Sequence, residues 1–353
     1  MNDQNRITRA YRAIGLFACI CAVVMATTLC ACAGKDAKPD TAQESATETQ
    51  GESAADNSKP EDEDEDTADE SKDKDASKKQ GDKDKAQKAR EKLAKKLNAS
   101  IEGVAANTSM PIYVSVIDLP TGAVAGYQSD TRVMSASMIK MLIAHAFLEQ
   151  VKAGAFSLDD TYTLKGSDIV GGTGTLCELG AGAEVTYREI LMRMINVSDN
   201  TGTNILIDAV GMDAINEDAK RLKLKQTELN RHMMDYDAIA AGLDNYTCAS
   251  DMAKLMRRVY KGTFVDADSS ALVLEALRQQ EDWCGIKNGL PEGTSFAHKT
   301  GTHTLVRHDG GIVEGDHPFV LVVLCGGDDT YYEQGALDAM ANVASAVYAD
   351  LIG

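Results

Sequence analysis

The 353-residue chain is 44% hydrophobic and only 5% aromatic, and its formal net charge at pH 7 is −18. This acidic balance argues against a nucleic-acid-binding protein, because such a protein needs a basic face to neutralise phosphates. Proline is scarce and no repeat is visible, which excludes collagen-like and solenoid folds. Residues 35–85 carry half of the net charge, with 18 acidic residues against 9 lysines. The 268 residues that follow suffice for one large domain or two closely packed lobes.

The first 32 residues have the features of a bacterial export signal. Three arginines between residues 6 and 12 precede an uncharged apolar run over 15–29, which is typical of a signal peptide and rather short for a membrane-spanning helix. The run ends in Leu29-Cys30-Ala31-Cys32, which resembles a lipobox and predicts lipidation of Cys32. Cleavage at an Ala-x-Ala-like site or a retained anchor helix are the alternatives. All three place the bulk of the chain outside the cytoplasm, and lipidation would anchor it to the outer face of the bacterial cell membrane.

Residues 33–85 are predicted to be a disordered, charged tether. They contain almost no Leu, Ile, Val or aromatic residue, and the run 61–66 is wholly acidic. Such a segment cannot bury enough apolar surface to offset the entropy of ordering. A flexible tether of this length would reach roughly 40 Å.

Four cysteines remain after the signal segment and the predicted lipidation site: Cys177, Cys248, Cys284 and Cys325. An exported protein permits disulfides, but the spacings match no metal motif, and four cysteines allow three full pairings. Cys325 ends an apolar run over 319–324, which favours a buried free thiol at that position. The pairing of the other three is left open by the sequence.

Helical and extended patterns divide the chain after the tether. Apolar residues recur at helical spacing over 84–106, which predicts an amphipathic helix, and residues 111–117 and 123–127 flank a Pro-Thr-Gly turn, which predicts a hairpin. Further helices are predicted over 137–152, 186–196, 201–209, 212–222, 249–261 and 268–279. Strands are predicted over 295–300, 311–313 and 319–325, before a last helix with an apolar stripe from Leu337 to Leu351. Strands from both ends of the chain around a helix-rich middle predict an α+β fold, with one sheet, a helical lobe and a cleft between them.

A first candidate motif is Ser137-Met138-Ile139-Lys140, followed by an apolar run. Residues three apart share a helix face, so the Ser137 hydroxyl and the Lys140 amine would be neighbours. An amine whose pKa is lowered by burial and a second cation can take the hydroxyl proton. The motif alone is no evidence, because Ser71 and Lys74 match it within the predicted tether; a serine N-cap beside a surface lysine would be the ordinary structural interpretation.

Two further motifs follow in the chain. Ser198-Asp199-Asn200 comes directly after a predicted helix, where a hydroxyl and an amide could relay a proton and hold a substrate amide, or where Asp199 could simply cap the next helix. Lys299-Thr300-Gly301 ends a predicted strand, and Gly301 would allow a substrate backbone to approach closely. A plain Lys-Thr turn is the structural alternative.

The three motifs together, in this order, resemble those of the class A β-lactamase-like serine hydrolases. The resemblance covers about residues 88–353 and extends to the loop Gly171-Gly172-Thr173-Gly174 and to Arg307-His308-Asp309. It implies a β-lactamase/transpeptidase-like fold, in which an antiparallel sheet is flanked by the N- and C-terminal helices and joined to an all-helical lobe. It also implies a serine hydrolase that needs no metal or organic cofactor, binds no nucleic acid and acts as a monomer.

The resemblance assigns a role to each matching position. Ser137 is expected to be the nucleophile, Lys140 its activating amine and Ser198 the proton shuttle to the leaving nitrogen. The residues expected to bind the substrate are Asn200, Lys299, Thr300, Gly301 and Thr302. The backbone N–H groups of Ser137 and Thr302 would form the oxyanion hole.

One departure from the family pattern concerns the loop that carries a catalytic glutamate. The best match puts Met233 at that position, with Arg231 tied to Asp244 or Asn245, and a shifted register puts Gln226 there. Neither register supplies a carboxylate. Three nearby acids could substitute, although each is more typical of a solvated loop: Glu228, Asp235 and Asp237.

Two classes of function are compatible with these residues. The favoured one is a serine acyl-enzyme hydrolase that opens β-lactams, with slow deacylation because the carboxylate is missing, or a D-alanyl peptidase that acts on related cell-wall peptides. The other is a surface-tethered module that binds β-lactam or peptidoglycan with little turnover. The complete set of Ser137, Lys140, Ser198 and Lys299 favours catalysis, since a pure binder has no need of an activated nucleophile.

Overall fold

The computed structural model describes residues 70–282 and 285–353, with side chains from residue 82 onward except at 283 and 284. The predicted signal segment with Cys32, residues 33–69 of the predicted tether, and Cys284 lie outside these ranges. Within them, no helix combines the length and the apolar character that a membrane crossing requires.

The first helix, α1, runs from Glu70 to Ala105 and begins 14 residues before the predicted start at 84. Residues 70–85 are therefore helical, which corrects the prediction that the tether is disordered up to residue 85. The sequence offers a physical reason, because Glu70 and Asp75 each precede a lysine by four residues, a spacing at which opposite charges support a solvated helix.

Five antiparallel strands form the central sheet: β1 Ile112–Asp118, β2 Val124–Tyr127, β7 Phe296–His303, β8 Val306–Val313 and β9 Phe319–Gly326. Their spatial order is β2-β1-β9-β8-β7, so the N-terminal hairpin joins the C-terminal strands along β9. Two short antiparallel pairs lie outside this sheet, in which β3 Val133–Met134 pairs with β6 Tyr246–Thr247 and β4 Thr161–Thr163 with β5 Glu184–Thr186.

The remaining helices are α2 Lys140–Lys152, α3 Leu176–Leu179, α4 Tyr187–Asn196, α5 Asn200–Val210, α6 Met212–Arg221, α7 Tyr236–Ala240, α8 Ala249–Tyr260, α9 Ala267–Arg278 and α10 Glu333–Leu351. The nine residues from Lys140 to Leu148 in α2 are all buried. A helix that is buried on every side belongs to a core, and α2 carries the first candidate motif into it.

Both faces of the sheet are covered, and β9 shows how. Val320 and Val322 belong to the hydrophobic core shared with the helical lobe, whereas Leu321 and Val323 belong to the core formed with α1 and α10. Alternate residues of a strand point to opposite faces, so every residue of β9 is buried. The sheet thereby gives the motif on β7 a rigid support.

Most predicted elements are confirmed within a few residues, and the α+β fold with one antiparallel sheet is confirmed. The main difference is β8, which begins at Val306 and not at 311. Its first half is polar in sequence, yet His308 and Asp309 are buried, because each has a polar partner inside the fold: His308 Nε2 lies 2.7 Å from the Met134 carbonyl and Asp309 Oδ1 lies 2.8 Å from His298 Nδ1.

Candidate active site

The Ser137 hydroxyl lies on a short 3-10 turn, Ala136–Ile139, which leads directly into α2. The turn is entered through Ala136 at φ 43°, a conformation that is uncommon for residues other than glycine. The Ser135 N–H donates to the Asn245 carbonyl at 2.8 Å and fixes the start of the turn. Ser137 is half-buried and lines a cleft.

Lys140 is fully buried at the start of α2. Its Nζ lies 2.5 Å from the Ser198 carbonyl, 3.0 Å from Ser198 Oγ and 3.0 Å from Asn200 Oδ1. Burial, followed by the charge of Lys299, holds the pKa of Lys140 well below its usual value, against the opposing charge of Asp199. Burial therefore favours the neutral amine, which is the form that accepts a proton.

Ser198 Oγ lies between two buried amines. Lys299 Nζ donates to Ser198 Oγ at 3.1 Å and to the Thr300 carbonyl at 2.8 Å. Burial lowers the pKa of Lys299 to about 7, although Asp282 and Asp309 act in the opposite direction. Ser198 itself has a φ of 57°, and this strained backbone directs its hydroxyl between Lys140 and Lys299.

The Asp199 carboxylate explains how this turn is held. It caps α5 by accepting from the Gly202 N–H at 2.8 Å, and it also accepts from the Thr175 and Leu176 N–H groups at 2.6 and 2.7 Å. A Cβ on Gly174 would lie 2.3 Å from this carboxylate, so only glycine fits there. Asp199 therefore does cap the next helix. The residues on either side of it, Ser198 and Asn200, nevertheless line the cleft.

The loop Gly171-Gly172-Thr173-Gly174 positions Asn200. The Asn200 N–H donates to the Thr173 carbonyl at 3.0 Å, and Nδ2 donates to the Gly171 carbonyl at 3.2 Å. The Asn200 amide is therefore oriented by the loop on one side and by Lys140 on the other. Both segments line the cleft.

The third motif lies on β7, beside the nucleophile turn. A Cβ on Gly301 would meet the Ser135 carbonyl oxygen at 3.2 Å and the Ala136 Cβ at 3.3 Å, so glycine allows the strand and the turn to approach closely. Thr302 pairs with Arg307 across the β7–β8 register, and Arg307 Nη1 donates to Thr302 Oγ1 at 2.6 Å. Both Thr300 and Thr302 line the cleft.

Asp282 is a neighbour of this site that the sequence analysis did not identify. Both of its carboxylate oxygens lie 2.8 Å from Arg307 Nη2. Asp282 also lines the cleft, and its charge opposes the lowering of the Lys299 pKa. No motif marks it, because its place depends on where the chain returns after α9.

The cleft has a volume of about 570 Å³. It lies between the nucleophile turn, β7 and the loop that precedes β6. The candidate residues that line it are Ser137, Ser198, Asn200, Thr300 and Thr302, with Met233 on the opposite wall. Lys140 and Lys299 are buried behind this wall and reach it through Ser198.

The match to the Beta-lactamase enzyme family model covers residues 92–351. The chain belongs to this family. It is 27% identical over 225 residues to a β-lactamase of Citrobacter koseri, covering 60% of this chain and 72% of that protein. It is 24% identical over 259 residues to a β-lactamase of Bacteroides uniformis, which covers 70% of this chain and 84% of that protein. These likenesses and the fold identify the protein as a β-lactamase-family serine hydrolase.

Solved structures agree with this assignment. A β-lactamase from Sphaerobacter thermophilus matches with a TM-score of 0.64 and 26% identity over 72% of this chain and 96% of that one. PBP-A matches with a TM-score of 0.66 and 25% identity, and the match covers 73% of this chain and 96% of the PBP-A chain. A variant of PBP-A, described as an acyl-enzyme complex with penicillin-G, matches with a TM-score of 0.66 and 25% identity over 72% and 95%.

In this β-lactamase-family chain, the loop before β6 carries Met233 into the cleft. The Met233 backbone is clamped by Asn204, whose Oδ1 accepts from the Met233 N–H at 2.8 Å and whose Nδ2 donates to the Met233 carbonyl at 3.1 Å. Gln226 instead lies where its N–H donates to Asp251 at 2.8 Å, and it does not line the cleft. The structure thus supports the register that places Met233, and not Gln226, in the cleft that Ser137 also lines.

The two alternatives for the partner of Arg231 are both used. Arg231 Nη2 forms an ion pair with Asp244 at 2.8 Å, whereas Asn245 Oδ1 accepts from the N–H groups of Asn230 and Arg231 at 2.8 and 3.0 Å. The loop is therefore closed at its base by a charge pair and by a backbone clamp.

The three acids considered as substitutes lie elsewhere. Glu228 pairs with Arg132 at 2.5 Å, Asp235 caps α7 by accepting from the Ala238 N–H at 2.9 Å, and Asp237 is exposed. None of the three lines the cleft, which corrects the suggestion that one of them replaces the glutamate. The carboxylates that do line it, among the described residues, are Asp282 and the exposed Glu281.

Cys177, Cys248 and Cys325 are free thiols in the part of the chain that the structure describes. Cys325 is fully buried in β9, as predicted, and burial raises the pKa of its thiol. Burial likewise raises the pKa of Cys248 to about 11. Both groups are protonated near neutral pH and unsuited to nucleophilic work.

Proposed function

We propose that this β-lactamase-family hydrolase is of the class A type and opens β-lactam amide bonds by forming an acyl-enzyme on Ser137. The observation that carries the proposal is the position of Ser198 Oγ, which lies 3.0 Å from Lys140 Nζ and 3.1 Å from Lys299 Nζ. A hydroxyl between two amines of lowered pKa can pass a proton in either direction. The same cleft exposes Ser137.

Acylation follows from these groups. Neutral Lys140 takes the Ser137 proton while Ser137 Oγ attacks the lactam carbonyl carbon, and the N–H groups of Ser137 and Thr302 stabilise the oxyanion. Such donors contribute roughly 10²–10³ in rate each. The lactam C–N bond then breaks, and the leaving nitrogen receives a proton through Ser198. Asn200 orients the substrate amide.

The substrate carboxylate would bind at the other end of the cleft. Protonated Lys299 attracts it electrostatically, and the hydroxyls of Thr300 and Thr302 donate hydrogen bonds to it. Arg307 donates to Thr302 Oγ1, which leaves the Thr302 hydroxyl hydrogen free to turn toward a ligand. Gly301 keeps the approach to this edge of β7 open.

Deacylation is proposed to be slow. It needs a water molecule that has lost a proton, and a general base typically contributes about 10²–10⁴ in rate, or roughly 3–5 kcal/mol of barrier. The Met233 thioether, which occupies the corresponding position on the cleft wall, cannot accept a proton near neutral pH. The acyl-enzyme should therefore form readily and persist.

A D-alanyl peptidase acting on cell-wall peptides is the second candidate. Met233 favours it over an efficient β-lactamase, because a peptidase that acts on cell-wall peptides has no need to release a penicilloyl group quickly. Both candidates share the acylation step on Ser137, which the likeness to the PBP-A variant described as an acyl-enzyme complex with penicillin-G supports. They differ in substrate and in how quickly a penicilloyl group must be released.

The two candidates are tested together by incubating the full chain with penicillin-G or with a D-Ala-D-Ala peptide and digesting it for mass spectrometry. The proposal expects a penicillin adduct on the peptide that contains Ser137. Release of D-alanine faster than hydrolysis of penicillin would favour the peptidase. An adduct elsewhere, or none with either ligand, would refute both.

The cellular location is a further proposal. The basic, apolar and Leu29-Cys30-Ala31-Cys32 segments support export and lipidation of Cys32, which would anchor the enzyme, as a monomer, to the outer face of the membrane. Cys32→Ala should then release the protein into the medium or leave it unprocessed, whereas the parent chain should require detergent for extraction. Recovery of mature protein with an unmodified Cys32 would overturn lipidation.

A further inference from the structure

The peptide bond between Met134 and Ser135, which leads into the nucleophile turn, is held from both sides. Its carbonyl oxygen lies 2.7 Å from His308 Nε2 on β8, and its N–H donates to the Asn245 carbonyl at 2.8 Å. The carbonyl and the N–H of a trans peptide point in opposite directions across one rigid plane. Hydrogen bonds at its two edges therefore fix the orientation of this plane, directly before the turn that carries Ser137.

The turn needs such support because its backbone is strained. Ala136 has a φ of 43°, and a residue other than glycine stays in this region only where the surrounding structure over-determines it. The Ser135 carbonyl accepts from the Met138 N–H at 3.0 Å within the turn. A shift of the entry peptide would therefore be passed on to the turn, and with it to the direction of the Ser137 hydroxyl.

The β7–β8 register explains how His308 reaches the turn. His308 lies directly across from Gly301, and opposite residues of an antiparallel pair project from the same face of the sheet. A Cβ on Gly301 would lie 3.2 Å from the Ser135 carbonyl oxygen and 3.2 Å from Met138 Cγ, so this face packs against the turn. Because Gly301 has no side chain, the turn lies close enough to the two strands for the His308 ring to bond to its entry peptide.

The hydrogen bonds of His308 also define its tautomer. The ring is fully buried, and the Cys325 N–H on β9 donates to its Nδ1 at 3.3 Å. Nδ1 must then hold a lone pair, so the neutral ring carries its hydrogen on Nε2 and donates it to the Met134 carbonyl. Burial lowers the pKa of His308 to about 4, despite the hydrogen bond to Met134. The charges of Arg307 and of His303, which lines the cleft, act in the same direction as burial.

We propose that His308 is a positioning residue for the nucleophile, whose Nε2–H holds the turn in the conformation that presents Ser137 to the cleft. This inference rests on the proposed acyl-enzyme at Ser137 and adds a residue that lies outside the three motifs. His308 itself does not line the cleft, so it acts through the backbone. Its loss should slow the acylation step and leave penicillin binding almost unchanged, because the groups expected to hold the substrate carboxylate lie on β7.

Two substitutions separate the two hydrogen bonds of the ring. In His308→Gln the amide nitrogen lies near the place of Nε2 and can still donate to Met134. In His308→Asn the shorter side chain reaches only the place of Nδ1, where it can accept from the Cys325 N–H. Val347→Ala is the control for stability, because Val347 is fully buried on α10, in the core on the opposite face of the sheet. Its truncation should lower Tm without a contact to the cleft.

Acylation of the four full-length proteins by a fluorescent penicillin is followed by stopped flow over a range of concentrations, after circular dichroism has established that each is folded. His308→Asn should lower the maximal acylation rate by about 10²-fold, the loss that a misplacement of about 1 Å can cause. Its half-saturating concentration should change little. His308→Gln should keep close to the wild-type rate, and so should Val347→Ala despite its lower Tm.

Three results would overturn the inference and leave the proposed function intact. One is an unchanged maximal rate in His308→Asn, and another is a loss in His308→Gln as large as that in His308→Asn. The third is an equal loss in Val347→Ala, which would attribute the effect to stability alone. Failure of the wild type to acylate would overturn both the inference and the proposed function.

A measurement on the wild type covers the case in which the His308 variants do not fold. Long-range proton–nitrogen correlation spectra of the full-length protein report which ring nitrogen of a histidine carries the hydrogen. His308 should be neutral with its hydrogen on Nε2 at pH 7, and it should remain so at pH 5, where a histidine with the ordinary pKa of about 6.5 is mostly protonated. A ring with its hydrogen on Nδ1 at pH 7 would overturn the inference, because its Nε2 could not donate to Met134.

Discussion

Side-chain hydrogen bonds fix the backbone in both walls of the cleft, yet the walls differ in chemistry. On the motif wall, the clamped backbone of Asp199 and the close approach at Gly301 deliver hydroxyls and amines. On the loop wall, Asn204 holds the Met233 backbone and the Arg231–Asp244 ion pair closes the loop, and the side chain presented to the cleft is the thioether of Met233. Under the proposed function, acylation depends on the motif wall, and the loop wall supplies no carboxylate to speed deacylation. The two steps should then respond to different substitutions.

The largest effect is expected on the motif wall, for Ser137→Ala. This change removes one hydroxyl from a half-buried position and opens no large cavity, so the fold should persist. Covalent labelling by a fluorescent penicillin should fall to background, as followed by gel fluorescence, while circular dichroism stays unchanged. Labelling retained at the wild-type level would show that the nucleophile lies outside the motif wall.

Lys140→Ala should also impair the motif wall severely. Acylation should slow by about 10²–10⁴, the range of a general base, since Lys140 lies 3.0 Å from Ser198 Oγ and its lowered pKa suits it to take the Ser137 proton. Stopped-flow or gel-based labelling rates measure this effect. A loss of less than tenfold would assign the proton transfer to another group. The falls in acylation rate caused by Ser137→Ala and Lys140→Ala should not be additive in the double variant, because the two residues act as one unit.

A gain is expected on the loop wall, for Met233→Glu. The new carboxylate would lie in the cleft where Met233 lies now, held by the same Asn204 clamp. Release of the penicilloyl group should accelerate by about 10²-fold, the lower end of a general base's contribution, with acylation little changed. Met233→Gln is the control, since it orients water but accepts no proton. Equal acceleration by both variants would contradict a general-base role for the glutamate.

The smallest effect is the pH dependence of acylation by the wild type. The pKa of Lys299 is about 7, and only its charged form attracts a carboxylate, so acylation of a penicillin should fall as pH rises above 7. Lys299→Arg keeps its charge over this pH range. This variant should still be acylated by penicillin, but its acylation rate should not fall above pH 7. A wild-type acylation rate that does not change from pH 7 to 9 would show that the charge of Lys299 does not govern binding of the penicillin carboxylate.

Sequence patterns predicted those parts of the molecule that repeat a period or a motif. The β1–β2 hairpin and most helices follow from alternation and helical spacing, and the three motifs placed Ser137, Lys140 and Lys299 correctly in one region. The first half of β8 could not be predicted, because its polar residues are buried only where the fold supplies partners such as His298 for Asp309. The pairs β3–β6 and β4–β5 are too short to show a period.

Two residues of the cleft escaped sequence reasoning for different reasons. Asp282 depends on the β7–β8 register that brings Arg307 to it, a tertiary fact with no local signal. His303, in contrast, lies two residues beyond Gly301, and strand alternation alone could have placed it on the same face. The loop register was ambiguous in sequence, and the Asn204 clamp on Met233 resolves it.

A penicillin pulse separates acylation by the motif wall from deacylation at the loop wall. The full-length enzyme is mixed with penicillin-G, excess ligand is removed, and the intact mass is followed over time. We expect rapid formation of one adduct on Ser137, followed by slow return to the free mass. Steady-state turnover at about 10 per second or faster, typical of ordinary enzymes, would contradict it, and so would the absence of any adduct.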